Sequence, residues 1–238
     1  MQLVYKLDTG APAPGRTPVT VGRANFSGAY VNAGGGYGMW VADETTTAIP
    51  GSANPTVRVT QRLGGKGWLG RAGGGYDHRF SERILAGVFG DVDISSLKGS
   101  IQDAAAGLEG KTKETWAWAA GARAGLLIAS DTLAYVNAGY TQAHFSSATM
   151  HSMLTTAPFF GLSTPSFTAD GWFVGGGVEA SLGSGWFWRN EYRRANYGSE
   201  TVTDTSANPA ALIRNNINFK PMVQTVTTQL MYKFNSSR

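Results

Sequence analysis

Taken as a row of apolar and polar positions, the chain changes character near residue 26. From there on, segments of strand length keep apolar side chains at every second position, the period of a β-strand whose two faces meet different surroundings. Between Gly65 and Phe80, one face holds Trp68, Ala72, Gly74, Tyr76, Phe80 and His78, and the other holds Arg71, Asp77 and Arg79. Ile84, Ala86, Val88, Val92 and Ile94 oppose Asp91 and Asp93 in the same way. Trp116, Trp118, Ala120, Ala122, Ala124, Leu126 and Ile128 oppose Arg123, and Trp172, Val174, Val178, Ala180 and Leu182 oppose Glu179. One face is apolar throughout, and the other carries charge and glycine.

This pattern predicts strands near 26–42, 65–80, 84–95, 114–129, 132–145, 170–182, 186–197 and 222–234. Short connections at Ser81-Glu82-Arg83, Ser130-Asp131 and Gly183-Ser184-Gly185 alternate with long ones near 43–64, 96–113, 146–169 and 198–221. Such alternation suits antiparallel neighbours joined in sequence. The expected fold is all-β: an eight-stranded antiparallel transmembrane up-and-down β-barrel, with short turns on the periplasmic side and long loops outside. Residues 1–25, with Pro12, Pro14 and Pro18 and no periodicity, are expected to be an extended periplasmic leader, and 26–235 the barrel. Tyr30-Val31-Asn32-Ala33-Gly34 recurs as Tyr135-Val136-Asn137-Ala138-Gly139, an echo that shared strand composition explains better than duplication.

Which face lies outside follows from composition. Charged residues make up only 15% of the chain, too few to coat a water-soluble exterior with the sparse Arg and Glu of the charged faces. The apolar face is therefore expected to meet lipid. Aromatic residues near strand ends, Phe26, Trp40, Trp68, Tyr76, Trp116, Trp172, Trp186 and Trp188, are expected to form the two interfacial girdles. Arg71, Asp77, Arg79, Asp91, Asp93, Arg123, Glu179, Arg189, Glu191 and Arg193 then point into a lumen narrow enough for side chains to fill. Unpaired charge in low dielectric is costly, so Glu179 and Glu191 are expected to pair with members of the Arg71, Arg123, Arg189 group.

Other classes fit poorly. There is no apolar run of the ~18 residues a membrane-spanning helix needs. The net charge of +4 comes from scattered basic residues without a run or stripe, so no nucleic-acid partner is expected. Met1–Gly10 lacks the apolar core of a signal peptide, and the export signal is expected to have been removed ahead of residue 1. The absence of cysteine excludes thiolate metal sites and thiol nucleophiles.

No enzyme, metal or cofactor is expected. Asp77, Asp91 and Asp93 are explained by the lumenal network, while His78, His144 and His151 are dispersed; His144 alone stands where a barrel enzyme could use it. Gly34-Gly35-Gly36 and Gly73-Gly74-Gly75 match no phosphate loop and open no helix. The third long connection is the oddest stretch, with Met150, Met153, Leu154, Phe159, Phe160 and Phe167 and scarcely a charge. Two readings stand: the side chains pack among the other loops, or they contact a protein partner, lipid or a second copy.

Phe26-Ser27-Gly28-Ala29-Tyr30-Val31 followed by Gly34-Gly35-Gly36-Tyr37-Gly38, together with Glu191-Tyr192-Arg193 and the ending Leu230-Met231-Tyr232-Lys233-Phe234, resembles a known group. These are the small porin-like outer-membrane β-barrels of alphaproteobacteria, surface antigens related to the OmpA transmembrane domain. The resemblance covers about residues 26 to 234, and its motifs are short. It departs from the pattern at Phe26, where Trp is usual, at Gln229, where Gly is common, and in the extension Asn235-Ser236-Ser237-Arg238. It implies an outer-membrane location among lipid and lipopolysaccharide. It also implies handling by the barrel-assembly machinery through Tyr232 and Phe234, and a role in envelope integrity with surface loops offered to a partner. A small diffusion porin is the alternative.

Overall fold

A computed structural model of the chain describes residues 24–48, 58–153, 158–206 and 215–234. The twelve strands, in chain order, are β1 (Gly28–Ala48), β2 (Arg58–Arg79), β3 (Ile84–Asp103), β4 (Leu108–Leu127), β5 (Thr132–Phe145), β6 (Ala148–Ser152), β7 (Pro158–Thr164), β8 (Phe167–Gly183), β9 (Trp186–Tyr197), β10 (Glu200–Thr203), β11 (Thr205–Ser206) and β12 (Asn215–Phe234). Eight of them close a ring in the order β1, β2, β3, β4, β5, β8, β9, β12, and β12 pairs back onto β1. Every neighbouring pair in that ring is antiparallel. The leader expected over 1–25 lies outside the described residues apart from Ala24 and Asn25.

The strands rise much farther than the apolar pattern predicts. β1, β3, β4 and β12 have 21, 20, 20 and 20 residues. At about 3.3 Å per residue and a tilt of about 40°, such strands stand roughly 50 Å tall, about twice the apolar band of an outer-membrane barrel. Most of the predicted long connections 43–64, 96–113 and 198–221 is therefore strand. The cause is an inversion of polarity. Below the level of Trp68 and Trp116 the outward positions are mostly apolar, and the inward ones are mostly polar down to an apolar layer at the periplasmic end. Above it Leu97, Ile101, Leu108, Ile217 and Phe219 point inward and are buried, while Asp43, Arg62, Lys98 and Lys111 point outward. A search for outward apolar rows ends where lipid ends.

The third long connection is also structured. β6 and β7 form a hairpin that extends β4, and β11 pairs with β7. Met150 and Leu162 are buried in the outer core, and Phe167 stacks on Phe145 at 5.1 Å. Of the two readings of this stretch, Met150 and Phe167 follow the packed one, against the partner-contact reading, and Met153 is exposed. Leu154 and the side chains of Phe159 and Phe160 lie outside the described residues. The inward turn follows from the same inversion, since apolar side chains above the membrane gain by leaving water.

β10 pairs with β12 and β11 with β7, so the single residue between them, Asp204, bridges the seam of the upper wall. Its backbone N–H donates to Asn215 O at 3.1 Å, and its carboxylate accepts from Thr164 Oγ1 at 2.8 Å.

Candidate functional site

All ten charged residues assigned to the lumen face inward, and nine of them are buried; Arg79, at the periplasmic end, is half-buried and donates to Ala24 O at 3.2 Å. Their side chains sort into two layers. In the lower one, Arg123 holds Asp77 through both Nε and Nη2, and its Nη1 meets Glu179 at 2.8 Å. Arg189 approaches the same Glu179 oxygen at 3.2 Å. In the upper layer, Arg71 grips Asp93 with two contacts of 2.7 Å and reaches Glu191 at 2.8 Å. Arg193 grips Asp91 at 2.8 and 2.7 Å and meets Glu191 at 2.9 Å. Tyr135 Oη and Asn137 Nδ2 donate to the other Glu191 oxygen at 2.9 and 2.8 Å.

One partner was missed in the sequence. Lys233, part of the terminal motif, points inward and is 1% exposed; its ammonium lies 2.8 Å from Asp77, 2.8 Å from Glu179 and 2.8 Å from Phe26 O. Parity along β12 would have revealed it, because Lys233 alternates with the outward Tyr232 and Phe234. With Lys233 included, the two layers hold five cations (Arg71, Arg123, Arg189, Arg193, Lys233) and five carboxylates (Asp77, Asp91, Asp93, Glu179, Glu191). The pairings expected for Glu179 and Glu191 thus gain Lys233 and Arg193.

The sequence echo has a physical basis. β1 and β5 stand on opposite sides of the ring, and Tyr30 and Tyr135 project inward from them. Both rings lie against the Arg123 guanidinium, at 4.8 and 5.2 Å, and against that of Arg189, at 5.0 and 5.6 Å. A cation over an aromatic face is attracted by the ring quadrupole. Each tyrosine leans over a glycine of the next strand, Gly75 and Gly177, where an added Cβ would come within 2.6 and 2.8 Å of the phenolic oxygen.

Apolar layers close both ends of this polar stack. Below it, Phe26, Leu85, Leu127, Leu133, Phe187 and Met231 pack together; above it, Trp40, Leu97, Phe145, Phe173 and Phe219 belong to the larger core. Two girdle expectations are therefore corrected. Phe26, 0% exposed, precedes β1 and plugs the lower mouth against Phe187 at 5.0 Å. Trp40, 1% exposed, has the inward parity of Asn32 and donates its indole N–H to Leu97 O at 3.0 Å. Trp68, Tyr76, Trp116, Trp172, Trp186 and Trp188 do point outward. Between the upper ion pairs and the outer core lies a cavity of about 20 Å³ lined by Arg71, Asp91, Asp93, Glu114, Tyr197 and Thr225. That is room for about one water.

The upper rim holds a second group of acids that sequence reasoning did not flag. Glu44, Asp103 and Asp204 are buried beyond the aromatic ring. Burial pushes the Glu44 carboxyl up to about 7, against hydrogen bonds from Gln61 and the Gln102 backbone. Burial likewise raises Asp204, against the Thr164 hydrogen bond and aided by the neighbouring Asp103. The histidines stay apart: His78 contacts Phe80, and His144 stacks on Trp116 while its Nδ1 lies 3.0 Å from Thr168 Oγ1. Among the described residues no three His, Asp or Glu side chains are arranged to hold a metal ion.

A closed cylinder that is apolar outside and charged inside along its lower half is a transmembrane β-barrel of the bacterial outer membrane. The chain belongs to the outer membrane protein beta-barrel domain family, which it matches over residues 11–234. It is 27% identical over 225 residues to the 31 kDa outer-membrane immunogenic protein of Brucella melitensis, covering 93% of this chain and 88% of that one. The Brucella suis protein of the same description matches equally. Among solved structures, the outer membrane protein OprG of Pseudomonas aeruginosa superposes with a TM-score of 0.58 at 12% identity, over 87% of this chain and 97% of that one. At that identity the likeness concerns the fold alone.

Two outcomes are expected. Glu179→Ala leaves Lys233, Arg123 and Arg189 facing one carboxylate instead of two, and should cost roughly 3–5 kcal/mol of barrel stability, read as earlier loss of the folded band on heating in detergent. At the rim the folded state keeps protons that an unfolded carboxyl, titrating near 4, has released, so rim stability falls as pH rises from about 4 to about 7. Amide exchange at Asp204 and Asn215, corrected for intrinsic rate, should quicken across that window in the native protein and lose this dependence in Glu44→Gln, Asp204→Asn.

Proposed function

We propose that this barrel is a closed structural and interaction element of the outer membrane. It supports envelope integrity and carries a rigid wall above the bilayer that offers its outer connections to a partner. The observation that carries this reading is the filled lumen: two ion-paired layers lie between two apolar layers, and an ion would have to displace both kinds. Open aqueous channels belong to much wider barrels of about 16 to 18 strands. The immunogenic character of the Brucella relatives fits a wall that stands clear of the membrane. Tyr232 and Phe234, outward at the end of β12, are the side chains an assembly factor would read at the seam with β1.

The diffusion-porin alternative predicts a stable open level in planar bilayers. The purified protein should instead give no sustained single-channel current at neutral pH, and a reproducible open level carrying ions would overturn the closed reading.

A further inference from the structure

On the outer surface, Lys66 of β2, Lys98 of β3 and Lys113 of β4 stand directly opposite one another in register. Like charges at directly opposed positions repel and destabilise a sheet. No carboxylate relieves them: among the described residues none of the three has an ion-pair partner. Lys66 and Lys98 are exposed and Lys113 half-buried, while the alternating Leu97 and Glu114 are buried, so the three ammonium groups belong to the outer face. Lys111 continues the positive surface along β4, and Ser96 and Ser100 lie beside the row.

The level of the row is set by what lies below it. The next large outward side chains toward the periplasm are Trp68, Ile94 and Trp116, of which Trp68 and Ile94 are 72% and 76% exposed on the lipid-facing wall. Aromatic and apolar side chains of this kind mark the boundary of the hydrocarbon, and lysine stems reach from that boundary toward headgroups. Three cations with no protein counter-charge therefore stand at headgroup height on a surface that faces the outer leaflet.

We infer that Lys66, Lys98 and Lys113 form a binding row for the phosphate groups of an outer-leaflet phosphorylated glycolipid, with Trp68, Ile94 and Trp116 against its acyl chains. The anion supplies the charge that the sheet lacks, and charge-assisted contacts to phosphate oxygens replace the repulsion along the row. This rests on the reading that the tall end of the barrel faces outward.

The test uses the full chain in detergent and native mass spectrometry, with bisphosphorylated lipid A and its dephosphorylated form as probes. The native protein should retain the phosphorylated lipid preferentially, and Lys66→Gln, Lys98→Gln, Lys113→Gln together should weaken that retention by about tenfold, the order expected for three exposed charge contacts. In detergent free of phosphate the triple variant should be at least as heat-resistant as the native chain, because the repulsion is gone. Should the triple variant not fold, Lys98→Gln, at the centre of the row, takes its place with the same lipid pair. Equal retention of both lipids by the native protein, or undiminished retention by the variant, overturns the site. Ser199→Cys, probed on intact cells with a membrane-impermeant maleimide, separates the two failures. Labelling from outside with an indifferent lipid result retires the lysine row and leaves the orientation standing, and no labelling retires the orientation, and the row with it.

Discussion

Charges sealed inside a lipid-wrapped cylinder must neutralise one another, and the rest of this structure is arranged around that requirement. Five cations and five carboxylates occupy the lumen in two layers, each arginine or lysine touching at least one acid. Neither layer is neutral alone: the lower has Arg123, Arg189 and Lys233 against Asp77 and Glu179, the upper Arg71 and Arg193 against Asp91, Asp93 and Glu191. The excess of one layer balances the other, and the two tyrosines that sandwich the lower guanidinium groups add attraction where cations are in surplus. Removing one partner of such a buried pair is costly because it strands the other charge, whereas a well-packed apolar replacement of both can do as well.

The second organising fact is that one set of strands crosses from hydrocarbon into water. In the lower half the wall must be apolar outside, which sends charge inward; in the upper half the outside is wet, and the apolar side chains turn inward to form an aromatic core. Trp40, Phe145 and Phe219 fill that core, with Trp40 and Phe219 rings 5.5 Å apart. The same strands thus carry a polar plug and an apolar plug in series. Among the described residues, the upper wall is made of paired strands that continue those of the lower half.

Much of this was legible in the sequence. A charge set among Gly and Ala at period two points into the lumen, so the ring strands and all the inward charges of the two layers except Lys233 could be listed residue by residue. What escaped has a physical cause in each case. The upper strands were hidden because their outward faces are polar and their apolar rows point the other way. Phe26 and Trp40 were placed in the girdle by their nearness to strand ends, whereas the parity of Trp40 with Asn32 and the position of Phe26 ahead of β1 put them inside. Lys233 was obscured by the aromatic residues around it. The apolar stretch near Met150 leaves packing and partner contact both open in the sequence, because nothing local marks the β6–β7 pairing that turns Met150 into the core.

The most direct test of mutual neutralisation is a double-mutant cycle on the lower layer, with Arg123→Met, Glu179→Leu and the two combined, read as unfolding free energy in lipid bilayers. If the charges are held by one another, each single change should cost several kcal/mol, about the price of stranding a buried charge, and the combined variant should recover at least 1–2 kcal/mol relative to their sum. Strictly additive losses would contradict the account, because they would mean that each charge is stabilised by something other than its partner.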